Sequence, residues 1–202
     1  MTPEDYYGES YPMLVAAQAQ LDAFADEFAS QRGDSDDLRP VVYHTSRIKS
    51  PESLAEKIAR EGGTGTAFAD ALEMGINDVV GTRIICAFTD DVYAAADWLI
   101  ARPDVKLLVR KDYIANPKPN GYRSLHLVVR LKEGPAAGLP SVEVQLRTIA
   151  IDFWATLEHK MKYKKSIANS ELMSRELKRC ADEITAVDLS MQALRNAIRD
   201  AE

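Results

Sequence analysis

Near the start of the chain, Tyr11, Leu14, Val15, Gln18, Leu21, Phe24 and Phe28 recur at three- and four-residue spacing. That period predicts an amphipathic helix over residues 10–30, with its acids outward. The polar run Gln31 to Asp37 stops it, and Val41, Val42 and Tyr43 form a short apolar run beyond. Ser50-Pro51-Glu52 then places a hydroxyl at an N-cap, proline at the first helical position and an acid in the first turn, predicting a helix to about Arg60. Glu61 to Thr66, with three glycines, reads as a mobile loop.

From here the pattern becomes β-like. Ile76 to Phe88 holds a continuous apolar run, Ile84 to Phe88, typical of a buried strand, and Thr89-Asp90-Asp91 opens a helix that ends near Arg102-Pro103. Val105 to Val109 is a further short strand, and two prolines and a glycine force Asn116 to Gly121 into a loop. Two alternating strands follow: Leu125, Leu127, Val129 and Leu131 share one face against His126, Val128 and Arg130, and Val142, Val144 and Leu146 oppose Glu143, Gln145 and Arg147. Thr148 caps a helix from Ile149 to about Lys164, and Glu171 to Ile198 forms a last long amphipathic helix. The order predicts an α+β fold around one mixed sheet.

Composition narrows the function. The chain has 202 residues, 46% of them hydrophobic, enough to bury a real core in one domain with a helical extension. The formal net charge of -6 argues against capture of a polyanion by bulk positive charge. That total is uneven: residues 1–40 hold nine acids and two bases, whereas residues 106–132 hold seven bases and one acid, and residues 147–165 five bases and two acids. A local positive site of this kind suits a small anion better than a duplex. No apolar run approaches the roughly 18 residues of a membrane span, and Met1 to Ser10 lacks the basic and apolar regions of a signal peptide, so a cytoplasmic location is expected. Cys86 and Cys180 stand far apart without a CxxC pair or a neighbouring histidine, which indicates neither a disulfide framework nor zinc.

Two acids sit where one sheet face can collect them, Asp78 just before the buried strand and Glu143 within a later one. Such a pair can hold Mg²⁺, a hard ion that takes few protein oxygens, or each can be an ordinary surface acid. The segment Lys111 to Arg123 combines bases with Tyr113 and Tyr122 around a rigid Pro-Lys-Pro turn, suited to phosphate neutralisation and base stacking, or to a solvated basic loop. Arg47, Lys49, Lys57 and Arg83 form a second cationic group, although Lys57 and Arg60 also fit an ordinary helix face. His126 fits a satisfied structural histidine, and Trp154 and Leu157 fit a core. No histidine is followed by aspartate and no GxxxxGK[ST] occurs, which removes a His-Asp phosphohydrolase site and a P-loop.

Four strings together resemble the synthetase motifs of the RelA/SpoT family: Tyr43 to Ser53, Gly75 to Ile84, Asn116 to His126 (NPKPNGYRSLH) and Val142 to Thr148, with Asp152 to Lys160 fitting as well. The similarity runs in order from about residue 10 to 165. A short chain with neither the hydrolase module nor a long regulatory tail looks like a stand-alone small alarmone synthetase. The resemblance implies a nucleotidyltransferase-like mixed sheet flanked by helices. It divides the chain into an N-terminal helical segment (1–38), a synthetase core (39–165) and a C-terminal helical segment (166–202) suited to oligomerisation. The implied reaction is transfer of pyrophosphate from ATP to the ribose 3′-hydroxyl of GTP or GDP, giving guanosine penta- or tetraphosphate and AMP. Many relatives are homotetramers.

Carried over by motif, Asp78 binds Mg²⁺ and Glu143 orients and deprotonates the hydroxyl, with a share in the metal. Arg47 and Arg83 sandwich adenine, while Lys49 and Lys57 contact the ATP phosphates. Tyr122 stacks on guanine; Lys111 and Lys118 meet the acceptor phosphates; Asn120, His126, Gln145 and Arg147 support them; and Asp152 reads the guanine edge. Two alternatives stay open: the same chemistry on a tRNA 3′ end or an adenine nucleotide, and a regulatory module that binds nucleotide or single-stranded RNA without turnover. The net charge does not favour RNA.

Overall fold

Helix formation begins earlier than the periodicity predicts. In the computed structural model, which describes residues 2–31, 39–162 and 170–201, helix α1 (Pro3–Tyr7) starts on a capping box. Thr2 Oγ1 accepts from the Asp5 amide, and the Asp5 carboxylate accepts from the Thr2 amide, both at 3.1 Å. A single turn leads into α2 (Tyr11–Gln31). Most of the polar stretch that follows α2, the expected boundaries at 38/39 and 165/166, and the expected helix end at Lys164 lie outside the described residues.

Strand β1 (Val41–Ile48) is longer than the apolar run Val41 to Tyr43. Its later residues are polar and pair across to α2: Gln18 Nε2 donates to the Ser46 carbonyl at 3.2 Å, Ser46 Oγ to Asp22 at 2.5 Å, and His44 sits 2.9 Å from Asp26. Those partners satisfy side chains that an apolar pattern search passes over. Ser50 caps α3 (Pro51–Arg60) as expected. A second unanticipated helix, α4 (Phe68–Glu73), follows the glycine loop and buries only Phe68 and Ala71, too few to set a period.

The next strand, β2 (Val80–Cys86), starts later than the expected run from Ile76, leaving Asp78 in irregular backbone before it. Helix α5 (Thr89–Ala101), β3 (Val105–Asp112), β4 (Leu125–Leu131), β5 (Val142–Thr148), α6 (Ile149–Lys162) and α7 (Ser170–Arg199) complete the chain. The five strands form one sheet in the order β1-β2-β5-β4-β3, with β2 and β5 parallel and the other neighbours antiparallel, so it is mixed, as expected.

Period-two alternation divides the chain's chemistry between the two faces. Val80 and Ile84, Leu125, Leu127 and Val129, and Val142, Val144 and Leu146 join Leu14, Leu21 and Phe24 of α2 and Val92 and Leu99 of α5 in the main core. The other face collects rows that cross the sheet. One runs Thr45, Arg83, Gln145, His126, Lys111; the next runs Arg47, Gly81, Glu143, Val128, Val109. Neighbouring strands are about 4.8 Å apart, so register alone makes these side chains neighbours.

Helices α6 and α7 form a second, smaller cluster of Trp154, Ala155, Leu177 and Ala181, with Tyr122 packed against it. Leu157, expected in a core, is 40% exposed because it projects from the other side of α6. Arg195 on α7 pairs with Asp90 and Asp91 at the start of α5, and Thr148 Oγ1 donates to the buried Asp188 at 2.6 Å. Helix α7 also closes on Gly121, at φ +88°, where an added Cβ would lie 2.6 Å from Ala181 Cβ and 3.2 Å from Lys178 Cα. Replacing Gly121 by alanine therefore meets both a positive φ and the α7 backbone. A loss of about 1–3 kcal/mol is expected, read as a lower urea midpoint; an unchanged midpoint would show that α7 does not hold this approach in solution.

Candidate active site

Gly81 is the low point of the polar face. A Cβ there would come within 3.2 Å of the Glu143 carbonyl oxygen, so glycine keeps β2 and β5 close and leaves room above them. Asp78 and Glu143 reach the same cavity of about 250 Å³, whose walls include Thr45, Arg47, Arg83 and Gln145. A second cavity of about 380 Å³ shares Arg47, Arg83 and Gln145 and adds Tyr122, Arg147 and residues of α6, so the two make one continuous cleft.

Lys49 and Lys57 converge on Asp78. Lys57 Nζ lies 2.7 Å from Oδ1 and Lys49 Nζ 3.1 Å from Oδ2, and Lys49 is only 6% exposed. Burial pushes the Asp78 carboxyl up, but the hydrogen bonds and charges of Lys57 and Lys49 outweigh it and hold the group below its usual range. Glu143 follows the same logic. Burial raises it, then the His126 hydrogen bond at 3.0 Å and the Gln145 hydrogen bond at 2.8 Å overcome burial and the nearby Asp78 charge, leaving it ionised at neutral pH.

The arginines are less well compensated. Asp152, at the start of α6, takes Arg147 Nη1 at 3.0 Å, Arg83 Nη1 at 3.5 Å and the Tyr43 hydroxyl at 2.7 Å. Its two oxygens are thus both engaged. Burial and then the Arg147 charge lower the Arg83 pKa, and the Nε atoms of Arg83 and Arg147 are buried without a hydrogen-bond partner among the described residues. Arg83 lines the cavities beside an exposed Arg47, and planar guanidinium groups there can take an anionic or planar ligand.

The proline-rich loop closes on itself before it meets the cleft. The Gly121 amide donates to the Lys118 carbonyl at 2.8 Å, the Lys118 amide to the Tyr122 carbonyl at 3.1 Å, and Asn120 accepts from the Tyr122 amide while donating to Glu158 of α6 at 2.9 Å. Lys118 Nζ stands 4.6 Å from the Tyr113 ring and 5.1 Å from the Tyr122 ring. Lys111, on edge strand β3, is exposed at the end of the row that passes through His126.

The structure therefore brings Arg47, Arg83, Tyr122, Glu143, Gln145 and Arg147 to one cleft, with Asp78, Lys49 and Lys57 at one end and Lys118, Asn120 and His126 at the other. Asp152 lies beneath the arginines. Sequence reasoning passed over Gly81, Tyr43 and Glu158. A glycine inside a strand was the available signal for the first. Nothing local marks Tyr43 or Glu158, whose partners Asp152 and Asn120 are distant in the chain.

Paired carboxylates, lysines and arginines gathered on an open sheet face have the chemistry to hold polyphosphate ligands. Residues 46–168 match the family described as the region found in RelA / SpoT proteins. The chain is 38% identical over 161 residues to GTP pyrophosphokinase YwaC of Bacillus subtilis (strain 168), covering 79% of this chain and 76% of that one. It is 35% identical over 169 residues to GTP pyrophosphokinase YjbM of the same organism, covering 83% and 78%. The crystal structure of small alarmone synthetase 1 from Bacillus subtilis bound to its product pppGpp superposes with a TM-score of 0.82 at 31% identity, covering 96% of this chain and 98% of that one. The chain belongs to the RelA/SpoT family.

The Asp78 cluster generates a stability prediction. Asp78→Asn leaves two ammonium groups facing each other, one of them buried, and is expected to cost about 3 kcal/mol in a urea titration. Lys49→Met in the same background should recover much of that loss; additive losses in the double variant would show that the pair is not coupled.

Proposed function

We propose that this protein is a GTP pyrophosphokinase that moves the β,γ-pyrophosphoryl group of ATP onto the ribose 3′-hydroxyl of GTP or GDP, releasing AMP and the guanosine penta- or tetraphosphate. The observation that carries this reading is one continuous cleft with Asp78, Glu143 and two arginines at one end and Tyr122, Lys118 and Arg147 at the other. Its relatives YwaC and YjbM carry the same activity in their names, and a structural neighbour holds pppGpp.

In this reading Arg47 and Arg83 flank adenine, offering planar guanidinium faces. Lys49 and Lys57, already gathered at Asp78, exchange part of that pairing for the ATP phosphates. Tyr122 offers its ring to guanine, with Lys118, Lys111 and Asn120 toward the acceptor phosphates. Asp152 reads guanine only if one of its present partners, Tyr43 or Arg147, yields an oxygen. Glu143, ionised and facing the cavity, accepts the 3′-hydroxyl proton as the oxygen attacks phosphorus, and the guanidinium groups neutralise charge on the transferred oxygens.

Asp78 and Glu143 also fit Mg²⁺. They are hard oxygen donors that line one cavity, and Mg²⁺ takes one or two carboxylates and leaves its other positions to phosphate and water. Bound there, Mg²⁺ would neutralise the ATP phosphates. ATP and GTP as substrates favour a cytoplasmic location. Among the described residues no helix is long and apolar enough to cross a membrane.

Exposed apolar stripes support a homo-oligomer, a tetramer by family resemblance. Ile149, Phe153, Leu157 and Met161 line one side of α6, and Val187, Met191, Leu194 and Ile198 recur at heptad-like spacing on α7, all more than a third exposed.

Purified protein with Mg²⁺ and ATP is expected to release AMP with GTP or GDP and to form the 3′-pyrophosphorylated product; label moving to tRNA or an adenine nucleotide instead would reassign the acceptor. Glu143→Gln should lower turnover at least about 10²-fold while nucleotide binding by calorimetry persists. Light scattering should report a tetramer that Leu194→Glu dissociates; a wild-type monomer would remove the assembly.

A further inference from the structure

The residues around Glu143 form a closed polar circuit. Arg147 Nη2 donates to the Tyr122 hydroxyl oxygen at 2.8 Å, that hydroxyl lies 2.9 Å from His126 Nε2, and His126 Nδ1 lies 3.0 Å from Glu143 Oε1. On the other arm, Arg147 Nη2 donates to Gln145 Oε1 at 3.3 Å and Gln145 Nε2 donates to Glu143 Oε2 at 2.8 Å. Both arms leave the same guanidinium and end on the same carboxylate.

Donor accounting fixes the direction at Arg147 and at Glu143 and leaves the Tyr122 proton available to His126. A guanidinium has no acceptor, so the Tyr122 oxygen must accept from Arg147, and its single proton remains for His126 Nε2. The ionised Glu143 can only accept, so Nδ1 carries a proton, and with the Tyr122 proton turned to Nε2 that nitrogen accepts, which is the Nδ1–H tautomer. The ring has little freedom to leave this arrangement: it stands edge-on to Tyr113 at 5.5 Å and 87° and to Tyr122 at 6.0 Å and 71°. Each Glu143 oxygen keeps a second lone pair, so the circuit holds the carboxylate without using up its acceptor capacity.

We propose that His126 is a positioning residue that fixes the Glu143 carboxylate through Nδ1–H, and that the Tyr122 hydroxyl selects the tautomer that makes this possible. The same tyrosine thereby serves the acceptor base with its ring and the general base with its hydroxyl. Both His126 nitrogens are spent inside the protein, which separates this role from a direct contact with acceptor phosphate. The proposal rests on Glu143 acting as the base, as proposed above.

Two substitutions separate the nitrogens. In His126→Asn the side-chain amide nitrogen can replace Nδ1, whereas in His126→Gln it reaches the place of Nε2. His126→Gln and His126→Ala should lose about 10- to 100-fold in kcat, with the acceptor KM changed less than about twofold, and His126→Asn should recover most of the loss. Tyr122→Phe keeps the ring and removes the hydroxyl, so kcat should fall while the KM for GTP holds; Tyr122→Ala should raise KM as well. Imidazole ¹⁵N spectra supply a readout independent of turnover. The chain has three histidines, and the signal lost in His126→Asn should show the Nδ1–H tautomer in wild type and move toward Nε2–H in Tyr122→Phe.

An Nε2–H tautomer in wild type overturns the proposal, as does a rise in acceptor KM at unchanged kcat in His126→Asn and Tyr122→Phe, which would make His126 a ligand contact. If Glu143→Gln turns over normally while the spectra show Nδ1–H, the base assignment fails and the tautomer lock stands.

Discussion

The Arg147 guanidinium is the interaction on which the site's geometry depends. It is 5% exposed and finds acceptors on three different elements: Asp152 at the start of α6, Tyr122 at the end of the proline-rich loop and Gln145 on its own strand. A buried cation costs several kcal/mol unless it is paired and hydrogen-bonded, so the three acceptors cannot drift independently. Through them, the first turn of α6, the proline-rich loop and the carboxylate of Glu143 are held at fixed positions over β5.

The sheet makes this affordable by separating tasks. Along β5 Val142, Val144 and Leu146 point into the core while Glu143, Gln145 and Arg147 point into the cleft, so Val144 stabilises the fold one residue from Glu143. The electrostatics are graded along the cleft. At the β1 and β2 end, Lys49 and Lys57 neutralise Asp78; in the middle, Glu143 is held by His126 and Gln145; beyond it, Arg83 and Arg147 share the carboxylate of Asp152, and their Nε atoms have no hydrogen-bond partner among the described residues. That arrangement suits a ligand rich in phosphate oxygens, for which a net charge of -6 is no obstacle.

Much of this was readable before any fold was known. The alternation in Leu125 to Leu131 and Val142 to Thr148 identified both strands and their polar faces, Ser50-Pro51-Glu52 marked a helix start, and the NPKPNGYRSLH string carried the family. What escaped has a common physical cause. Helices α1 and α4 are too short to show a period, and β1 hides its inward face behind Gln18, Asp22 and Asp26, which satisfy polar residues that composition alone sends outward. Lys57 looked like part of a helix face because its partner, Asp78, comes from a different element. Asp152 looked free to read a base because Tyr43 lies 109 positions away in the chain.

The sequence by itself determined the periods, the caps, the loop and the stock of charged groups, because each depends on residues within a few positions of one another. Only the tertiary structure decided which charges meet. The order β1-β2-β5-β4-β3 places Arg83 beside Gln145 and Gln145 beside His126, pairings set by long-range register that no local pattern encodes. Burial then turned those neighbours into a circuit, since polar groups removed from water must find one another.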